Sequence, residues 1–517
     1  MRRFRLPLLA LPCLLTGLAL AQEPREDFIR ATQQSSLPAP LSECLESLDT
    51  RRIVQHLTFL TDPHQEGRGL GTRGLEATAH YLAEHLKTLG LSPIGATYLQ
   101  PVPLREVRPE GGSIRLATGS NSYTFSAGRD AVLPAIAPGT LAGPAVFVGF
   151  GIQEPLLDWD DFRGIDVRGK IVVFLDGHPA GEAWQAPGLL EKYASPRPAD
   201  RYDTRLALLE KLGAKAAIAL EEGLDRRLAE GREPTQPYFL AARRGSASGE
   251  PPLARIGLTE ALRAMARAGG TGTATLTIRG RVRELRSCNV LGRLAGADPI
   301  LRKEAILLGA HMDHLGLPGG VLHPGADDNA SGVSALLELA RVLSLSPVRP
   351  RRTILLAFWT GEEEGKFGSG HYTRQPRWPL ASTKAYLNLD MIGHPWTVAD
   401  LQTLMVDAKG PKDFLAGLEP ARFAEPGLSP AHPGIGPILA AAGLGTGMSL
   451  HLDWTDGKNG GSDYRDFARR NVPFVRFFGS YFPDYHKPGD TLDKLDPEQV
   501  KRMARLILAT AWLLADR

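Results

Sequence analysis

The sequence predicts an α/β protein built on a mostly parallel, doubly wound sheet with helices on both faces, interrupted by an inserted β-rich unit. From Cys288 to the C-terminus, short apolar runs alternate with stretches of helical periodicity, as in successive βαβ units. Those apolar runs stop abruptly at His, Asp and Glu, where strands of an open sheet place their sites. Between about 136 and 282 the texture changes to short strands and turns with no visible catalytic set.

A chain of 517 residues is too long for one typical domain, and 43% hydrophobic residues suffice for ordinary cores. With 60 basic against 57 acidic residues, nothing suggests nucleic acid or an acidic partner. Arg2, Arg3 and Arg5, the apolar Leu6 to Leu20 and the small-residue pattern Ala19-Leu20-Ala21 read as a signal peptide over 1–21, with Arg2-Arg3 a weak twin-arginine hint. The mature chain is therefore expected to be secreted or periplasmic. No later run reaches the ~20 apolar residues of a membrane span. Cys13 leaves with the signal; the spacing of Cys44 and Cys288 suits one bridge or two unpaired thiols equally.

Gln22 to about Leu41 is an unpatterned leader. Glu43–Leu60 and Leu75–Leu89 have helical periodicity. Residues 69–74 match G-x-G-x-x-G, but no strand precedes them, so the segment from Glu66 to Gly74 reads as a turn rather than a dinucleotide loop. His80 and His85 read as packing or surface residues. Leu99 to about Pro138 looks strand-rich. The insert offers strands at Ala145–Gly151, Gly169–Leu175, Ala216–Leu220 and Ala274–Ile278, with helices at Leu206–Leu212 and Glu260–Ala268; His178 reads as a loop residue. Beyond it, strands are expected at Asn289–Leu294, Ala305–Gly309, Thr353–Trp359, Ala385–Asp390, Thr403–Val406 and Val472–Phe478. Helices are expected at Ser331–Leu345, Lys412–Gly417, Gly434–Ala442 and Pro497–Ala515. Residues 40–135 and 283–517 would then form one catalytic domain, interrupted by 136–282.

His311, Asp327, Glu362, Glu363, Asp390 and His486 all follow strand ends. Singly each is ordinary: a Glu pair is usually solvated, and Asp328 or Asn329 suits a helix cap. Together they supply what paired divalent cations need, imidazole nitrogen and carboxylate oxygen at one rim with one acid shared between ions.

These motifs also resemble a family. His311-Met312-Asp313, Gly325 to Gly332 (GADDNASG), Gly361 to Gly365 (GEEEG), Leu387 to Met391 (LNLDM), Gly461-Ser462-Asp463 and Tyr485 to Thr491 (YHKPGDT) are similar, in order, to the dizinc aminopeptidases of the bacterial leucine aminopeptidase and glutamate carboxypeptidase-like family. The resemblance implies a zinc-exopeptidase-like fold and two zinc ions, although the native metal is not fixed by it. It implies His311 and Asp390 on one ion, Glu363 and His486 on the other, and Asp327 between them, with a cis bond from Asp327 to Asp328. It implies Glu362 as general base, Asp313 orienting His311, Tyr485 donating to the oxyanion and Asp463 supporting the site. Peptides with a free N-terminus would be the substrates. Glu364, Lys366 and Tyr464 depart from the pattern without touching this set; His314, His323 and His371 fall outside it because the complement is full. The insert, through VFVGFGI, DWDDFRGIDVRGKIVVFLDG and LLEKLGAKAAIAL, resembles a protease-associated domain. Competing readings are a carboxypeptidase using Arg470, Arg476 or Lys487, a cyclase-like transferase, and a binding relative without chemistry.

Overall fold

The computed structural model describes residues 27–32, 35–134, 136–195, 198–232, 239–242, 251–268, 270–411 and 413–517; the expected signal peptide lies outside the described residues. Helices α1 (Ala39–Glu46), α2 (Thr50–Thr61) and α3 (Arg73–Thr88) open the chain. The helix expected over Glu43–Leu60 is split because Asp49 starts a new one, its carboxylate accepting from Arg51 N at 2.9 Å.

Strand β1 (Leu99–Thr118) leads into β2 (Gly139–Phe147), β3 (Ile171–Leu175), α4 (Pro198–Leu212), β4 (Ala216–Glu221) and β5 (Leu253–Gly257). Strands β2, β3, β4 and β5 lie parallel in that order. Alternate residues of β3 enter different cores, Val173 and Leu175 on one face, Val172 and Phe174 on the other. The inserted unit is thus a parallel sheet covered on both faces, not merely β-rich.

Strand β6 (Thr271–Leu294) runs through the expected boundary at 282 without a break, paired with β1 from Thr273–Ala117 to Val290–Leu99 with one register shift at Arg279 and Gly280. The separate strands expected at Ala274–Ile278 and Asn289–Leu294 are one strand, because the intervening RGRVRELRSC pairs along β1 even where few of its side chains are buried.

The remaining elements are β7 (Ala305–His311), α5 (Gly332–Leu345), β8 (Thr353–Trp359), α6 (Phe367–Arg374), β9 (Thr383–Leu389), α7 (Val398–Asp407), α8 (Gly436–Thr446), β10 (Phe474–Phe477) and α9 (Pro497–Asp516). Strands β10, β9, β7 and β8 are parallel, and β6 closes that edge antiparallel to β8. Every residue of β7 and β8 is buried, as parallel strands covered on both faces require. Helices α1, α2, α3, α5 and α9 pack one face; Tyr372, Tyr386 and Phe467 pack the other with Leu307 and Trp359. Thr403–Val406, expected as a strand, lies within α7, started by a reciprocal capping box between Thr397 and Asp400. Residues 413–417 form turns, not the expected helix. Both Cys44 and Cys288 are free thiols. Among the described residues, no helix is long and apolar enough to cross a membrane.

Candidate metal centre

Strands β7, β8 and β9 end side by side at His311, Trp359 and Leu389, so the loops after them start at one rim. After β8 the chain makes a tight turn: the amides of Gly365 and Lys366 donate to Glu362 O at 3.0 and 2.9 Å. Strand β6 holds both feet of this turn. Ser287 Oγ lies 2.5 Å from Thr360 Oγ1, and Asn289 Nδ2 donates to Gly368 O at 3.0 Å. At the crown, the Asp313 carboxylate accepts from the amides of Glu362 and Glu363 at 3.1 and 3.3 Å.

The Asp pair sits on an irregular turn before α5. Gly325 has φ +60, and a Cβ there would stand 2.5 Å from the His314 ring, so only glycine lets the chain pass that imidazole. The Asp490 carboxylate accepts from the amides of Asp327 and Asp328 at 2.9 and 3.1 Å. Arg68, fully buried, ties the surrounding loops by donating to the carbonyls of Met312, Leu60, Pro324 and Gly325.

At the rim, His311 Nε2 lies 3.2 Å from Asp390 Oδ1 and 3.3 Å from Asp328 Oδ1. His486 Nε2 lies 3.1 Å from both Asp328 Oδ2 and Glu363 Oε2. The two oxygens of Asp328 therefore face two different groups, His311 with Asp390 and His486 with Glu363. Glu362 stands beside them, its Oε1 3.0 Å from Lys366 Nζ. Tyr485 stacks near His486, ring centroids 3.8 Å apart, and lines a cavity of about 160 Å³ with Asp390 and Met391. Asp463 is fully buried nearby.

The expectation for Asp327 is corrected. Its carboxylate turns under the rim, accepting from Gly393 N at 2.7 Å and meeting His394 Nδ1 at 2.7 Å, and Asp328 takes the central place. Neighbouring side chains on a tight turn diverge, and the Asp490 and Ser331 contacts fix which one faces outward. The cis bond lies between Asp328 and Asn329, one position beyond the expected one. Asp313 also differs from expectation. His311 Nδ1 meets the backbone carbonyl of Asp313 at 3.2 Å, whereas its carboxylate lies 4.0 Å away and is engaged by the turn amides.

His314, set outside the ligand set in the sequence because the complement was full, lies against that set in the structure. Its Nδ1 is 2.6 Å from Glu363 Oε1, and its side chain is fully buried. Arg68 lies in a glycine-rich turn, and Asp490 in the same motif as His486. The flanking Gly67 and Gly69 were the only local sign that Arg68 is packed.

Electrostatically the rim asks for positive charge. Burial works against ionised His311, yet Asp390 and Asp328 hold its pKa well above the usual imidazole range. Burial likewise opposes charge on His486, but Asp328 and Glu363 push it up to about 10. Burial drives Glu362 well above the carboxylate range, even with Lys366 beside it. His311, Asp328 and Glu363 can present one ligand atom each to a single ion. A tetrahedral ion with bonds of 2.0–2.2 Å sets its ligand atoms roughly 3.3–3.6 Å apart. The separations of 3.1 to 3.3 Å across Asp328 agree to within a few tenths of an ångström, so the donor set fits zinc.

Residues 289–511 match the profile of peptidase family M28. A probable zinc metalloprotease of Leptosphaeria maculans is 30% identical over 213 residues, 37% of this chain and 49% of its own length. The probable lipoprotein aminopeptidase LpqL of Mycobacterium tuberculosis is 28% identical over 256 residues, 44% of this chain and 45% of its own. The chain spans about half the length of the curated relatives it matches. The aminopeptidase from Aneurinibacillus sp. strain AM-1 shares the fold, with a TM-score of 0.53 and 21% identity over 92% of this chain and 96% of that one.

Proposed function

We propose that this chain is a zinc-dependent exopeptidase that removes the N-terminal residue of peptides. The observation that carries this reading is the split carboxylate of Asp328, one oxygen toward His311 and Asp390, the other toward His486 and Glu363. In this reading Asp328, not Asp327, is shared between two ions, His311 and Asp390 complete one site, and Glu363 and His486 the other. Bound zinc supplies Lewis acidity to a water and to the scissile carbonyl. Glu362 takes the water proton and delivers it to the leaving amine, while Lys366 holds the other end of its carboxylate. Asp313 fixes the turn that presents Glu362 and Glu363. Tyr485 donates to the developing oxyanion, and the cavity beside Asp390 takes the substrate's first side chain.

The match of residues 289–511 to the M28 profile and relatives named as a zinc metalloprotease and an aminopeptidase support the reading. The carboxypeptidase alternative loses its best cation, since Arg476 is paired with Asp453 at 2.6 Å. The test is a panel of aminoacyl-nitroanilides, free and N-acetylated, with protein stripped by chelator and reloaded with zinc. Zinc-restored hydrolysis of the free substrates alone is expected. Cleavage only from the C-terminus of peptides, or no cleavage by zinc-loaded protein, would refute it.

The same proposal includes export with loss of residues 1–21, tested by N-terminal sequencing of the mature protein. It also casts residues 136–282 as a protease-associated-like domain that limits access of long peptides. Its trimming should change the preference for long peptides more than hydrolysis of a nitroanilide.

A further inference from the structure

Asp327 is fully buried, yet it lies off the rim and has no part in the chemistry proposed above. Its surroundings assign it another task. One oxygen is held by Gly393 N; the other meets His394 Nδ1. The His394 ring lies flat on Phe482, centroids 4.0 Å apart and planes 6° from parallel. Phe482 sits on the loop that carries His486. The same loop is sewn to the His394 segment by Gly479 N on Met391 O at 2.8 Å and by Ser480 Oγ on Pro395 O at 3.2 Å. Its far end returns to the same place, where Asp490 accepts from the amides of Asp327 and Asp328.

His486 needs such support more than the other rim groups. Its side chain is 39% exposed, against 1% for His311 and 4% for Glu363. Its backbone adopts φ +58, a left-handed conformation uncommon for residues other than glycine. Strand β7 aims His311, whereas His486 has only its loop. A ligand on a loop is placed well only if that loop is fixed before the ion arrives.

We propose that Asp327, His394 and Phe482 form a relay that fixes the His486 loop and so sets the affinity of the ion on the Glu363 and His486 side. The inference rests on the two-ion reading above. Asp327 orients the imidazole, the imidazole presents a flat face, and Phe482 carries that constraint to the loop. His394 and Phe482 are positioning residues; neither lies within hydrogen-bonding reach of the rim acids in the contacts described.

The test is metal binding, not turnover. Metal-free wild type, His394→Leu and Phe482→Leu are titrated with Co²⁺, read by d–d absorption, and with Zn²⁺ against a chromophoric chelator. In His394→Leu the ion on the His311 and Asp390 side should bind as in wild type and the other should weaken by about 10–100-fold, the scale for loss of outer partners of a ligand. The spectrum at one equivalent should match that of His486→Ala. Phe482→Leu should shift in the same direction. His394→Asn keeps a donor for Asp327 and His394→Phe keeps the flat face, so each should lose less than His394→Leu. Thermal melting of the metal-free proteins should coincide. Two ions bound with wild-type affinity in His394→Leu would overturn the relay alone. Equal loss of both ions with a lowered melting point would overturn it as well, as ordinary destabilisation. A wild type that binds a single ion would overturn the relay together with the two-ion reading.

Discussion

Two sets of parallel strands, joined through β6 in one large sheet, end in buried charged rims, and they have opposite fates. In the inserted unit, Glu221 ends β4 with no exposure, but it is met by Arg255 at 3.0 Å, by Tyr202 OH at 2.6 Å and by Arg227. Asp176, just beyond β3, pairs with Arg201 at 3.4 Å. In the other set, Asp328, Glu363 and Asp390 are faced by imidazoles, which are charged only when protonated. Arg68, the nearest buried guanidinium, spends its donors on carbonyls. A buried carboxylate must find compensating charge. One rim receives it from arginine and is closed; the other leaves it to be brought by a cation. Placement at the carboxyl ends of parallel strands is common to both, so position alone does not define a site.

The contrast should be most sharply broken at Asp328. Asp328→Asn should bind neither ion tightly and show no measurable hydrolysis, whereas Asp327→Asn should still load the ion on the His311 and Asp390 side; zinc analysis beside kinetics separates them, and equal loss in both would restore the shared role to Asp327. Glu362→Gln should retain zinc while its rate falls by about 10²–10⁴. Glu363→Gln should lose zinc from one site and recover partly with added metal; the reverse pattern would exchange the two roles.

At the closed rim the effect should appear as stability rather than activity. Arg255→Leu strips a partner from buried Glu221 and should cost about 3–5 kcal/mol in denaturant unfolding, the range for breaking a buried pair. Hydrolysis of a small nitroanilide by the folded fraction should be unchanged. The smallest effect is in pH. Burial raises the pKa of Glu221, but hydrogen bonds and charge from Arg255 outweigh it and leave it below its ordinary 4.5. A depressed carboxylate stabilises the fold above the unfolded value and loses that contribution as pH falls through the folded one. Wild type should therefore lose stability below pH 4.5 more steeply than Glu221→Gln. Parallel acid unfolding of the two would show that the network carries no such linkage.

Much of this was legible in the sequence. Continuous apolar runs fixed β7, β8 and β9 because strands buried on both faces admit little else. Their abrupt endings marked His311, Glu362, Glu363 and Asp390 as rim residues. The choice between Asp327 and Asp328 was not legible. Both are acids on one irregular turn, and what separates them is Asp490, more than a hundred and sixty residues away in sequence. His394 was invisible for the same reason, and His314, though noted beside the set, was excluded from it, since their partners are brought by other loops. Strand β6 was hidden because its middle stretch is largely charged, with its pairing supplied by β1.

The clamp on the Glu362 turn has a mechanical meaning. Strand β6 begins in the inserted sheet, paired with β2, and ends gripping Thr360 and Gly368 through Ser287 and Asn289. Those contacts are the short arm of a lever whose long arm is the inserted unit. Load applied at the outer edge of that unit travels along one strand, across the register shift at Arg279 and Gly280, and is borne two residues from Glu362.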